Sequence, residues 1–204
     1  MGLMDYMEAY ALLNKYGIKS VESRYVSSAR EALSFSNGKP IALKALSQRA
    51  LHKSKNKLVA LGISTPDEIE SQYTQLAKTA SKFKPYRIIA QRMVRGNLEI
   101  IIGGKTDPQF GKMVLIGLGG IYVETFKDFA LRLCPISEYD ARSMLSQLKS
   151  RNIIAPNQKS ERMIISLMLS VSRMFYDNNM TELDLNPVIL HDDTYDAVDL
   201  RIIR

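Results

Sequence analysis

The sequence predicts an α+β protein in which helices stand among strands that are joined mostly by hairpins. Three observations lead there. Apolar residues recur at helical spacing in some stretches and alternate in others. The strand-like stretches adjoin one another and do not alternate regularly with helices, as a βαβ winding would require. No internal repeat, low-complexity tract or flexible linker interrupts the 204 residues. That length suits one domain, or one built from two interlocked subdomains.

Met4, Met7, Ala11 and Leu12 predict a first helix closed at Gly17. Ser28 and Glu31 predict a capping box that opens a second helix ending near Asn37. KPIALKAL alternates as a strand does, with Ile41, Leu43 and Ala45 on one face and Lys44 on the other, and LVALGI reads as another short strand. Thr65, Pro66 and Glu68 form a strong start for a helix running towards Phe83. YRIIAQRMV is a strand, RGN at 95–97 a turn, and LEIIIGGK its continuation beyond the turn. That turn is the expected boundary between subdomains 1–94 and 95–204. MVLIGLGG is an apolar run ending in a glycine-rich loop, followed by the strand-like IYVETF and FALRL. Ser137 and Asp140 start a further helix, and apolar periodicity predicts a long one from about Glu161 to Tyr176. TELDLNPVIL, a turn at HDDTYD and AVDLRII read as a closing hairpin.

Composition narrows the function classes. With 46% hydrophobic and 24% charged residues the chain can bury a core. No apolar run approaches the roughly 18 residues of a membrane span. The opening MGLMDYMEAY carries acids where a signal peptide carries bases, and Tyr6 stands where a myristoylation signal needs Ser or Thr. No membrane association is expected. The single cysteine, Cys134, fits a reducing cytoplasm. One cysteine and two histidines make a soft-ligand zinc site a poor reading, so any metal should be a hard cation on oxygen ligands. The net charge of +7 is spread along the chain, densest at Lys53, Lys55 and Lys57, with no arginine-rich helix or aromatic stacking signature. Nucleic acid is therefore not an expected partner, and a basic surface serves a nucleotide equally well.

Three places could carry chemistry. Asp184 and Asn186, two apart on a strand, leave the same face, and Asp199 returns close to Asn186 across the hairpin. Such an oxygen set suits Mg²⁺ shared with phosphates; a turn-capping role for Asn-Pro fits the same residues. Lys44 either snorkels to solvent or reaches into a cleft to meet phosphates. The glycines of GLGG at 117–120 either let a phosphate approach the backbone or make a tight turn. His52, flanked by lysines in LHKSKNKLVALG at 51–62, reads on position alone as part of a solvated basic loop.

Taken together, PIALKALS (40–47), LHKS (51–54), QRMVRGNLEIIIGG (91–104), TDPQFGKMVLIGLGGIYVETFKDFALRLCPIS (106–137) and ELDLNPVI (182–189) make the chain resemble the ATP-grasp domain, or beta subunit, of the ADP-forming acyl-CoA synthetases, of which acetyl-CoA synthetase is one and succinyl-CoA synthetase a relative. The resemblance runs from YGI at 16–18 almost to the end. It implies an ATP-grasp fold, two α+β subdomains holding ATP or ADP with Mg²⁺ between them. It further implies an acid–thiol ligase in the cytoplasm, working with a CoA-binding alpha subunit in an α2β2 assembly. By the same resemblance His52 relays a phosphoryl group from the alpha subunit to ADP, and Asp184 orients that histidine. Asn186 and Asp199 hold Mg²⁺, Lys44 and Glu99 contact the nucleotide, and Gln91, Met93 and Val94 border the adenine.

One departure stands out. Relatives follow the histidine with an acid and a glycine pair; here those positions are Lys55, Lys57 and Leu58, and a further glycine is Asn97. The alternative expectation is therefore a nucleotide-binding paralogue that has lost the relay, since lysine and leucine restrict a backbone that two glycines leave free.

Overall fold

The two ends of the chain meet. Gly2 N–H donates to the Arg204 carbonyl at 2.9 Å, Arg204 N–H donates back at 3.0 Å, and Leu3 bridges Ile203. The computed structural model describes residues 2–49, 57–96, 98–120, 128–191 and 193–204. The chain forms two compact units, Val21–Met93 and a second made of the chain up to Ser20 with Val94–Arg204. A single division after residue 94 thus misses one crossing: the first helix belongs with the C-terminal half because it packs on the last strand.

That helix, α1 (Tyr6–Lys15), is capped by the Asp5 carboxylate, which accepts from Met7 and Glu8 N–H, and it ends before Gly17 at φ 69°. Its buried stripe is Tyr6, Ala9 and Leu13, offset from the expected one. Of the four residues read from periodicity only Met4 is buried, just ahead of the helix.

The unit Val21–Met93 contains β1 (Ser23–Val26), α2 (Ala29–Ser36), β2 (Ile41–Leu46), β3 (Val59–Ile63), α3 (Pro66–Ala80) and β4 (Arg87–Arg92). Its antiparallel sheet has the order β1-β4-β2-β3. Ala32 and Phe35 of α2 and Ile69 and Leu76 of α3 join Ile41, Leu43, Ala45, Ile88 and Ala90 in one apolar core. Thr65 closes a full capping box with Glu68, whose carboxylate accepts from Thr65 N–H at 3.1 Å. Ser28 accepts from Glu31 N–H, but the Glu31 carboxylate turns to Ser27 instead of completing the box.

The other unit holds α1, β5 (Leu98–Asp107), β6 (Gly111–Leu118), β7 (Phe129–Leu133), α4 (Glu138–Gln147), α5 (Arg151–Ile154), α6 (Gln158–Asp177), β8 (Glu182–His191), β9 (Thr194–Ala197) and β10 (Leu200–Ile203). Its six-stranded antiparallel sheet runs β10-β8-β5-β6-β7, and β9 pairs with β8. Two expectations change here. β4 and β5, which flank residues 95–97, lie in different sheets. AVDLRII is not one strand: β9 pairs with the second half of β8 and β10 with the first, and the chain leaves the ladder at Val198–Asp199.

Helix α6 packs on β5 and β6, with Ile164, Met168, Val171 and Phe175 buried alongside Ile100, Ile102, Val114 and Ile116. Phe175 lies so close to β5 that a Cβ on Gly104 would sit 3.0 Å from its ring. The helix ends on a cation: Lys112 Nζ donates to the carbonyls of Phe175, Tyr176 and Asn178, meeting the negative end of the helix dipole. Among the described residues no helix is long and apolar enough to cross a membrane.

Candidate functional site

In the unit containing β8, alternation does the sorting. Leu183, Leu185 and Val188 are buried beneath the sheet with Ile100 and Ile102. Asp184, Asn186 and Glu99 take the opposite face, where they remain partly or fully exposed. Asp184 lies opposite Gly103 of β5 on one side and Arg201 of β10 on the other. Asn186 N–H donates to the Asp199 carbonyl at 3.1 Å, and Val198 N–H donates to the Pro187 carbonyl at 3.0 Å. The break between β9 and β10 therefore sets Asp199 beside Asn186.

An asparagine and an aspartate whose backbones meet in this way carry the oxygen donors that suit Mg²⁺, which keeps several waters and takes its remaining ligands from phosphates. Among the described residues no group of three or more His, Cys, Asp or Glu could hold a metal by itself.

Glu99 has a close neighbour that the sequence reading did not assign to it. Gly119 N–H donates to the Glu99 carbonyl at 2.7 Å, and a Cβ on Gly119 would come within 2.8 Å of the Glu99 carbonyl carbon. Gly120, at φ 70°, would place a Cβ 3.0 Å from Glu99 Oε2. The GLGG loop is pressed against β5 at Glu99. Its only trace in the sequence is a glycine pair at the end of an apolar strand.

In the unit Val21–Met93, Lys44 does not snorkel: it is 5% exposed, lying between Ile89 of β4 and Val59 of β3. Ala42, Ile89 and Gln91 share its face and are buried too. Gln91 Nε2 donates to Ser23 Oγ at 3.0 Å, and that hydroxyl donates to the Val21 carbonyl at 2.9 Å. The Gln91 amide thus has a partner within its own sheet. Met93 is exposed and its N–H reaches the Pro40 carbonyl at 3.4 Å; Val94, half-buried, begins the other unit.

His52, with Lys53 and Lys55, lies outside the described residues. The loop's last two residues are described. Lys57 stands at φ 54°, in the left-handed region that favours glycine. Leu58 is fully buried in the core, and its carbonyl accepts from Ala45 N–H at 2.9 Å.

Residues 2–203 match the model of the ATP-grasp domain family. The subunit beta of ADP-forming acetate–CoA ligase II from Pyrococcus furiosus is 36% identical over 210 residues, covering 96% of this chain and 89% of its own. The ADP-forming acetate–CoA ligase I of Archaeoglobus fulgidus is 34% identical over 207 residues, covering 97% of this chain but 29% of its own. The dinucleotide-forming acetyl-coenzyme A synthetase 1 of Ca. Korarchaeum cryptofilum superposes with a TM-score of 0.83 at 31% identity, covering 98% of this chain and 92% of that one. It was solved with coenzyme A and Mg-AMPPCP, its phosphohistidine segment pointing towards the nucleotide-binding site. The chain belongs to the ATP-grasp domain family, in the branch of the beta subunits of ADP-forming acyl-CoA synthetases, which are ligases.

Proposed function

We propose that this chain receives a phosphoryl group on His52 from a phosphohistidine of a CoA-binding alpha subunit and passes it to ADP, within the overall conversion of acyl-CoA, ADP and phosphate to acid, CoA and ATP. The observation behind this reading is the backbone contact of Asn186 with Asp199, beside the sheet face that bears Asn186, Glu99 and Asp184. Asn186 and Asp199 would hold Mg²⁺, which when bound neutralises charge on the nucleotide phosphates. Lys44 and Glu99 contact the nucleotide, and Gln91, Met93 and Val94 border the adenine.

Each transfer exchanges one bond for another. A neutral His52 imidazole nitrogen attacks phosphorus as the N–P bond of the donor histidine breaks. An oxygen of the ADP β-phosphate then attacks, a P–O bond forms as the His52 N–P bond breaks, and His52 regains its neutral imidazole. Lys53, Lys55 and Lys57 favour that neutral form and balance the charge of the bound phosphoryl group. Asp184 orients the imidazole. The alpha subunit is a separate chain in an α2β2 assembly in the cytoplasm. The Archaeoglobus relative is more than three times as long as the aligned segment.

A second reading, a nucleotide-binding paralogue without the relay, has one observation behind it. Leu58 is fully buried in the core, at a position where the family resemblance implies glycine. One experiment separates the two. The chain is mixed with its alpha subunit, acetyl-CoA, ADP, Mg²⁺ and labelled phosphate, and base-stable, acid-labile label on this chain is measured. Label lost in His52→Ala, with Mg·ADP binding retained, supports the relay. No label, with nucleotide bound and the alpha subunit phosphorylated, supports the paralogue.

A further inference from the structure

We infer that Gly119 and Gly120 are positioning residues for Glu99: they fix where its carboxylate meets the nucleotide and do not themselves hold a phosphate. The inference rests on the proposed role of Glu99 as a nucleotide contact.

Glycine at the end of a strand has two distinct uses, to leave room for a ligand at the backbone or to leave room for a neighbouring segment. The geometry here is of the second kind. The Gly119 N–H, which a phosphate cradle would aim at its anion, is spent on the Glu99 carbonyl at 2.7 Å. A Cβ on Gly119 would meet Glu99 backbone carbon and oxygen at 2.8 and 2.9 Å and the Ile100 carbonyl carbon at 2.9 Å, so β6 could not close on β5 at this point. At Gly120 the nearest atom to a Cβ is Glu99 Oε2, at 3.0 Å, with the carboxyl carbon at 3.7 Å. Gly119 therefore sets the Glu99 backbone and Gly120 borders its carboxylate. Both act at one residue, whose side chain takes the face shared with Asn186 and Asp184. The Gly120 backbone stands at φ 70°, in the left-handed region that favours glycine.

The two positions make different demands. A methyl at Gly119 collides with backbone, which cannot step aside. A methyl at Gly120 collides with the end of a flexible side chain, which moves by a few tenths of an ångström. Gly120→Ala is therefore the informative variant. Gly120→Asn introduces the same Cβ in a residue that tolerates positive φ, and serves where the alanine variant does not fold.

The test is a double-mutant cycle on the full chain, read as the dissociation constant of Mg·ADP by calorimetry, with thermal unfolding recorded alongside. Glu99→Ala weakens binding, Gly120→Ala weakens it by about threefold to tenfold, and the double variant binds no worse than Glu99→Ala alone. That loss of additivity is what a merely structural glycine would not give. If the Gly120→Ala loss persists undiminished in the Glu99→Ala background, the loop meets the nucleotide directly and the inference is overturned. It is equally overturned if Gly120→Ala and Gly120→Asn both bind as the unaltered chain does. If Glu99→Ala binds normally, the assignment of Glu99 as a nucleotide contact is wrong. If the unaltered chain does not bind Mg·ADP at all, the proposed function itself fails.

Discussion

Asn186 donates its backbone N–H to the carbonyl of Asp199 at 3.1 Å, thirteen positions further along by sequence number and on the other side of the β8–β9 turn. Asn186 is thus placed by β8, and Asp199 by the break between β9 and β10 that lies against it. Asn186→Ala and Asp199→Ala should each weaken ADP binding by at least about tenfold when Mg²⁺ is present, equivalent to 1.4 kcal/mol, and much less in EDTA. Calorimetric titration in both conditions checks this. Equal losses with and without Mg²⁺ would make the residues part of the fold and not of a metal site.

Lys112 ends α6 by donating to three of its C-terminal carbonyls. Lys112→Met keeps the aliphatic stem and removes the donors, leaving those carbonyls to water or to nothing. A loss of about 1–3 kcal/mol is expected from urea unfolding, with nucleotide affinity unchanged.

Lys57 holds a left-handed backbone that lysine adopts at a cost of roughly 1–2 kcal/mol. Lys57→Gly relieves that strain but loosens the unfolded chain, so the net gain should be up to about 1 kcal/mol, or about 2–4 °C in Tm for a chain of this size. Differential scanning calorimetry reads it directly. A fall in Tm would mean that the side chain contributes more than the backbone costs.

Several carboxylates sit below their ordinary range. Backbone and hydroxyl groups of Ser27 lower Glu31, and the N–H groups of Ser64 and Thr65 lower Glu68. Phe110 and Gln109 N–H lower Asp107, and Ser137 lowers Asp140. Burial pushes Asp128 up, but the hydrogen bonds it accepts from Ser150 and Lys149 outweigh that and leave it lowered. Each group binds its proton less readily folded than unfolded. The stability this adds is complete above the unfolded values near pH 4 and is lost as pH falls through the lower folded ones. Tm should therefore be flat from neutral pH to about pH 5 and drop steeply below about pH 4. Asp128→Asn should flatten that drop.

Local signals were legible and non-local ones were not. Thr65-Pro66 with Glu68, and Ser137 with Asp140, form the capping boxes that their spacing announces, because a cap is decided within four residues. The alternation that put Asp184 and Asn186 on one face holds for the same reason. The burial of Lys44 was not legible, since an alternating strand looks the same whether its second face is wet or covered. Nor could the sequence tell that β4 and β5 part into different sheets, or that AVDLRII breaks at Val198–Asp199 to serve both halves of β8. Those are choices of partner, and partners are far away in sequence. The clasp of Gly119 and Gly120 on Glu99 is of this kind.

The unit Val21–Met93 starts and finishes in the same place: Arg92 N–H donates to the Glu22 carbonyl at 3.0 Å, and Ser23 faces Gln91 across the ladder. It is an excursion from the larger unit with its exits side by side, which is the geometry of an inserted domain. The order of synthesis then matters. The excursion can close on itself as soon as β4 has been made. The segment containing α1, made earlier, has its partner in β10, the last of the described strands to leave the ribosome. What is translated early is completed late: the helix whose Tyr6, Ala9 and Leu13 end up buried meets β10 only once that strand has been made.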